Sequence, residues 1–234
     1  MSVPDPDLIR RIAAHRAEVE ARIAAACARA GRDPAEVTLV AVTKTHPVEV
    51  LEAAAAAGLT QFGENRVQEL VAKRAALPLP TVTWHLIGHV QTNKARDAVR
   101  AADLVHGVDS MRLAEALARR AELEGRVLRV LVQVNVSGET SKAGCAPEEA
   151  PALVAAVKSE PALQLEGLMT LAAPADDPET IRPQFRLLLT LRDQLSTPEH
   201  PLPILSMGMS GDYEVAVEEG ATHVRIGTAL FGER

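Results

Sequence analysis

At 234 residues the chain has the length of one large domain, and a (β/α)₈ barrel alone takes about this much. Hydrophobic residues make up an ordinary 47%, but aromatic residues only 2%, so the core must be assembled from Ala, Val, Leu and Ile, as where helices pack on a parallel sheet. A formal net charge of −6 with both signs interspersed gives no footing for nucleic acid or an anionic membrane, and no stretch is apolar for long enough to span a bilayer.

The opening "MSVPDPDLIRR" turns from acidic to helical and lacks the apolar core of a signal peptide, which predicts a cytoplasmic protein. Leu8, Ile12, His15, Val19 and Ile23 recur at helical spacing, so one amphipathic helix is expected over 5–30, with Gly31 as its C-cap. From there the pattern alternates. Apolar or β-branched runs at 37–43, 60–62, 82–87, 103–106, 127–134, 164–169, 203–206 and 222–226 read as strands. Helical patterns at 47–57, 64–76, 91–100, 110–124, 147–158, 178–195 and 212–219 lie between them. This is the rhythm of an α/β protein with a parallel sheet, and eight such units predict a single (β/α)₈ TIM barrel covering residues 1–234. An open doubly wound sheet fits less well, because no obvious edge strand and no GxGxxG fingerprint is present. Only "TALFGER" follows the eighth strand, so the last outer helix should be missing or vestigial. The long N-terminal helix is then free to cover that gap or the bottom of the barrel.

Function on such a barrel belongs at the C-terminal ends of the strands. In "VAVTKTHPVEV" a β-branched run ends on Lys44, which shares a strand face with Val40 and Val42. A lysine kept partly from water has a lowered pKa, as a Schiff-base amine requires; the alternative is a side chain that snorkels to solvent. Opposite, Ser206, Met207, Gly208, Ser210 and Gly211 lead into a helix, and Gly227 with Thr228 follow strand eight. Loops after strands seven and eight commonly hold a phosphate, although two Ser-capped turns would read the same way. Arg225 ends strand eight on the face of His223, where it serves either a salt bridge or a ligand acceptor. His85, His89 and Asp109 have the side chains of a metal site but no diagnostic spacing. Cys145 has no evident His partner, Cys27 reads as a small helix residue, and the two show no CxxC spacing. Arg119, Arg120, Lys94, Arg96 and Arg100 read as solvated helix faces.

These stretches, with "FGENRVQEL", "WHLIGHVQTNK", "VHGVDS", "VLVQVNVSGETSKAGC", "LEGLMTLA" and "SMGMSGDYEVAVEEGATHVRIGTALFG", resemble the pyridoxal phosphate homeostasis protein family (YggS/PROSC-like) from about residue 37 onward. The resemblance implies a barrel like the N-terminal domain of alanine racemase, carrying pyridoxal 5′-phosphate (PLP) as an internal aldimine on Lys44. It further implies phosphate contacts from Ser210, Gly227 and Thr228, with the Met207–Gly208 backbone beside them, Arg225 at the pyridine nitrogen and Asn65 near the cofactor. The implied role is storage, buffering or delivery of PLP, to apo PLP-dependent enzymes among others, by a monomer without substantial amino-acid turnover and without a metal. The alternative is a racemase-like PLP enzyme. It is disfavoured because racemases on this barrel add a β-rich domain that supplies a catalytic tyrosine, whereas here the single tyrosine, Tyr213, starts a helix beside the phosphate loop. A PLP-independent Schiff-base aldolase is a third reading, and it leaves Arg225 without a role.

Overall fold

The structure is a computed structural model and describes residues 4–139, 143–173 and 175–232. Helix α1 (Pro6–Ala30) precedes eight alternating units. These are β1 (Thr38–Val42) and α2 (Val48–Ala56), β2 (Gln61–Glu64) and α3 (Val67–Ala76), β3 (Thr83–Leu86) and α4 (Ala95–Ala101), and β4 (Leu104–Val108) and α5 (Met111–Leu123). The second half holds β5 (Leu128–Gln133) and α6 (Ala150–Ser159), β6 (Leu163–Met169) and α7 (Arg182–Leu195), β7 (Ile204–Ser206) and α8 (Tyr213–Glu218), and β8 (His223–Ile226) and α9 (Thr228–Phe231). The strands close in chain order into a parallel barrel with β1 beside β8, the (β/α)₈ architecture expected from the alternation.

Differences from the expected boundaries fall mainly at helix starts. Short 3₁₀ turns at Thr92–Lys94 and Pro178–Ile181 precede α4 and α7. Helix α3 starts later than expected because Glu64 still belongs to β2 and is buried on its outward face, where it meets Lys73 of α3.

Alternation along the strands builds two cores. Outward side chains such as Ala41, Phe62, Trp84, Val105, Val130 and Val224 pack under the helices in one continuous cluster. Phe62 meets Trp84 edge-on at 5.6 Å, one of the few aromatic contacts this composition allows. Inside the barrel, Leu104, Leu131, Met169 and Ile204 form a separate apolar cluster, while His85, His106, Gln133, Ser206 and Arg225 are buried polar residues.

Helix α1 fills the place of the eighth outer helix, so it covers the gap rather than the bottom. Asp5 caps it by accepting the Asp7 N–H at 2.9 Å, Pro6 begins its first turn, and Gly31 ends it at φ +66°. His15 Nδ1 donates to the Leu230 carbonyl of the four-residue α9 at 2.9 Å, and Arg16 reaches the Ala57 carbonyl after α2 at 3.0 Å. Arg22 and Arg29 pair with Glu214 and Glu218 on α8. The apolar seam of Ile12, Val19, Ile23, Ala26 and Cys27 supplies most of the docking energy, since exposed ion pairs contribute little.

Candidate functional site

A cavity of about 680 Å³ opens at the C-terminal ends of the strands. It brings together Lys44 after β1, Asn65 after β2, Ser210 before α8, Arg225 on β8, and Gly227 with Thr228 at the start of α9. Met207 and Gly208 stand behind this wall. Met207 is fully buried with its N–H on the His223 carbonyl, and the Gly208 carbonyl accepts the Arg225 N–H at 3.0 Å. Gly208 has φ +94°, and a Cβ there would lie 2.7 Å from Ala216 Cβ, so the position serves the backbone path of the loop. Gly88 serves Asn65 in a similar way: a Cβ on it would sit 2.3 Å from the Asn65 carbonyl oxygen.

Lys44 occupies a tight turn. The His46 N–H donates to the Thr43 carbonyl at 3.1 Å, and Thr45 takes φ +65°, the one described non-glycine residue with positive φ. Such a conformation suits glycine and strains a β-branched residue. What holds the turn is a buried charged group beneath it. Lys73 Nζ donates to the Thr43 carbonyl at 2.8 Å and to Glu64 Oε1 at 2.7 Å; Thr43 Oγ1 donates to the same Glu64 oxygen at 2.6 Å. Glu69 Oε2 accepts the strained Thr45 N–H at 3.0 Å and lies 3.6 Å from Lys73. Burial raises the Glu64 carboxyl above the ordinary range against the pull of Lys73, while the Thr45 N–H lowers Glu69. Lys44 itself is half-buried, and among the described residues its amine has no hydrogen-bond or ion-pair partner.

Arg225 sits one level deeper, in register with Val40. It is 3% exposed and has no carboxylate within ion-pair distance among the described residues. Its Nη1 donates to Ser206 Oγ at 2.5 Å and its Nη2 to the Thr170 carbonyl at 2.8 Å. Burial draws the guanidinium down to about 10, with Asp212 pulling the other way, so it remains a cation at neutral pH. Behind Ser206 the barrel interior is imidazole. Ser206 Oγ lies 2.9 Å from His106 Nδ1, His106 Nε2 lies 2.9 Å from His85 Nδ1, and His85 Nε2 lies 2.8 Å from Gln61 Oε1. Burial holds His85 at about 3 and His106 well below the usual range, so both rings are neutral.

The third wall offers backbone. Among the described residues, the N–H groups of Ser210, Gly211, Gly227 and Thr228 have no protein acceptor, and all four residues line the cavity. Together they form a nest of donors suited to an anion. The candidate metal residues do not converge. His85 is inside the barrel, whereas His89 Nδ1 lies 2.8 Å from Asp109 Oδ2 at the rim. Cys145 is buried, and burial pushes its thiol up to about 11. Tyr213 is buried under α1 with Arg22 over its ring at 5.5 Å, away from the cavity.

The family model described as "Alanine racemase, N-terminal domain" matches residues 15–234. The pyridoxal phosphate homeostasis protein of Pseudomonas aeruginosa is 48% identical over 223 residues, 95% of this chain and 96% of that protein. The chain belongs to the pyridoxal phosphate homeostasis protein family. The solved structure of PipY from Synechococcus elongatus with PLP bound matches at TM-score 0.80 and 39% identity, over 94% of this chain and all of that one. An alanine racemase of Clostridium difficile shares the fold alone, at 20% identity and TM-score 0.70 over 52% of its own length.

Within this homeostasis-protein barrel, reasoning from residue pattern did not single out His106, Lys73, Glu69 or Thr45 as site residues. A histidine inside the apolar strand "LVHGV" was the one available signal, since β4 is buried along its whole length. One rim imidazole was not singled out, His46, whose ring lies 4.8 Å from Phe231; His89, expected among the rim residues, lines the cavity and pairs with Asp109.

Proposed function

We propose that this protein binds pyridoxal 5′-phosphate in the barrel-mouth cavity, through a Schiff-base linkage to Lys44. Its role in this reading is to store, buffer or hand over the cofactor in the cytoplasm, acting as a monomer. The observation that carries the reading is the donor set around one cavity. Among the described residues it combines an unpartnered lysine amine, a buried arginine without a carboxylate, and four free backbone N–H groups. A planar aldehyde with an unprotonated ring nitrogen and a phosphate satisfies all three walls. When bound, the cofactor supplies an aldehyde that amines capture reversibly. Lys44 provides the amine, and Arg225 only donates, so the ring nitrogen facing it stays unprotonated. That weakens carbanion chemistry and favours holding over turnover. PipY, an overall match at 39% identity, is described with PLP bound. Asn65 borders the same cavity, Ser210 and Thr228 add hydroxyls to the anion wall, and the Met207–Gly208 segment supports that wall from behind.

Purified protein mixed with PLP should show a visible absorption band that borohydride removes, leaving a pyridoxyl adduct on Lys44. Lys44→Ala should lose the band with its fold intact, and an adduct on another lysine overturns the assignment. Ser210→Ala and Thr228→Val should each weaken binding by about 1–2 kcal/mol, as expected for a hydrogen bond to a charged group. Pyridoxal without its phosphate should bind far more weakly.

One observation favours a second reading. The His89–Asp109 pair places an oriented imidazole at the rim, a group that acid–base turnover of an amino acid would need. Loaded protein should therefore be offered both an apo PLP enzyme and a panel of L-amino acids. Stoichiometric transfer without amino-acid product supports the carrier role. Sustained racemisation that disappears in both Lys44→Ala and His89→Ala supports the racemase-like one.

A further inference from the structure

The polar side of the barrel interior is a continuous row of hydrogen bonds from Arg225 down to Gln61, and its direction can be deduced. A guanidinium only donates, so Ser206 Oγ accepts from Arg225. Ser206 Oγ keeps its own proton free for its other neighbour, His106 Nδ1, and it is the acceptor Gln61 Oε1 at the far end that requires Nδ1 of His106 to be bare. A neutral ring bare at Nδ1 carries its proton on Nε2, so His106 donates to His85 Nδ1. By the same step His85 carries its proton on Nε2 and donates to Gln61 Oε1, the oxygen that faces it. The arginine end is compatible with this polarity and the amide oxygen of Gln61 sets it. Every acceptor in the row points toward Arg225.

We propose that His106 and His85 are positioning residues for Arg225: the row Ser206–His106–His85–Gln61 solvates the buried guanidinium with aligned dipoles, fixes its rotamer, and leaves its whole positive charge directed into the cavity. Aligned hydrogen bonds polarise one another in a low-dielectric interior, so a row of neutral groups can stand in for water. A carboxylate in the place of Ser206 would instead neutralise Arg225 and give a ring nitrogen no cation to face. The other charged groups near the rings keep the row neutral. Arg225 above raises the energy of a charged His106, and so does Arg129 below, which Glu166 holds through two bonds of 2.7 and 2.6 Å. His223, 6.2 and 6.5 Å from the two rings, is itself held at about 4 by burial and by those arginines.

This inference deepens the PLP reading, and its test has one arm that needs no cofactor. In that arm the histidine ring nitrogens of the protein alone are observed by ¹⁵N NMR. The expected result is that His85 and His106 are both neutral, with the proton on Nε2 and Nδ1 bare, from pH 5.5 to 9. A proton on Nδ1 of His106, or titration of either ring in that range, overturns the inference whatever the protein binds. The second arm uses protein loaded with PLP labelled at the pyridine nitrogen. His106→Leu should keep the borohydride adduct on Lys44 while the pyridine ¹⁵N signal moves toward the pyridinium position. His106→Gln, whose amide oxygen can accept from Ser206 while its nitrogen donates to His85, should return it to the native position. Ser206→Ala cuts the same row next to Arg225 and serves if the leucine variant does not fold. An unchanged pyridine signal in the variants overturns the inference; failure of the native protein to form any adduct overturns the PLP reading and leaves the tautomer result to decide the row.

Discussion

The two sides of the cavity hold buried cations in opposite ways. Under Lys44, the ammonium of Lys73 meets the carboxylate of Glu64 at 2.7 Å and that of Glu69 at 3.6 Å, so its positive charge is cancelled on the spot and its effect is geometric: it clamps the turn through Thr43. Under Arg225, among the described residues, no carboxylate stands within ion-pair distance; its partners are a serine hydroxyl and a carbonyl, with the imidazole row behind them. Taking an ion out of water costs several kcal/mol in either case. A carboxylate offsets that cost by cancelling the charge, whereas dipoles offset it and leave the charge in place. One side of the cavity therefore supplies a positioned amine over a cation whose charge is cancelled, and the other a positioned positive field without an exchangeable proton.

Acid should separate the two sides most strongly. His85 at about 3 and His106, also lowered, both fall below the 6.5 of a free imidazole. Their contribution to stability is therefore whole above pH 6.5 and is lost as pH falls toward their folded values, because the unfolded chain takes up protons that the fold refuses. The slope approaches about 1.4 kcal/mol per pH unit for each ring, or roughly 3 kcal/mol per pH unit for the two together, and His223, held at about 4, adds a third contribution of the same sign. The Glu64 carboxyl is raised instead, so its linkage has the opposite sign: its contribution is present at low pH and lost as pH rises through its folded value. The paired surface carboxylates, such as Glu124 and Glu179, are lowered and titrate below the ordinary carboxylate range. Urea midpoints should consequently drop steeply between pH 6.5 and 5. A flat profile in that window would mean that the rings are not the buried neutral groups described above.

Next in size is the loss of Lys73. Lys73→Met strands the fully buried Glu64 without its cation and frees the Thr43 carbonyl. Breaking such a pair by removing one partner should destabilise by about 3–5 kcal/mol. Pairing it with Glu64→Gln should recover much of that, because the stranded charge is gone. If the double variant is as unstable as the single one, lost packing of the Lys73 stem rather than lost pairing is the cause.

How far these two sides could be read from sequence differs for a physical reason. The barrel was legible because period-two strands and helical stretches alternate eight times, and Lys44 and Arg225 were legible because a charged residue ending a buried strand contradicts its surroundings. Their supports were not. Lys73 has ordinary i,i+4 spacing from Glu69 on an amphipathic helix, and only the lean of α3 over Thr43 buries it. His106 meets Ser206 across 100 residues of sequence, a contact that exists only once the barrel closes. Helix α1 was recognised as a helix, but which gap it fills depends on α9 stopping after four residues.

The smallest effect sharpens the geometric side. The sign of φ at Thr45 leaves no trace in a β-branched residue's identity, yet it belongs to the turn that carries Lys44. Holding a non-glycine residue at φ +65° costs about 1–3 kcal/mol, while a glycine placed there adds about 0.5–1 kcal/mol of chain entropy to the unfolded state. Thr45→Gly should therefore stabilise the fold slightly, by about 1 kcal/mol, visible as a small rise in the urea midpoint. Its effect on the site should run the other way. Glycine widens the range of turn conformations, so only the Glu69 bond to the residue-45 N–H and the Lys73 bond to Thr43 would still direct the lysine. The borohydride-trapped fraction on Lys44 at limiting PLP should fall while stability rises. If stability and trapping instead rise together, the strained turn is a burden on the barrel and does not position the amine.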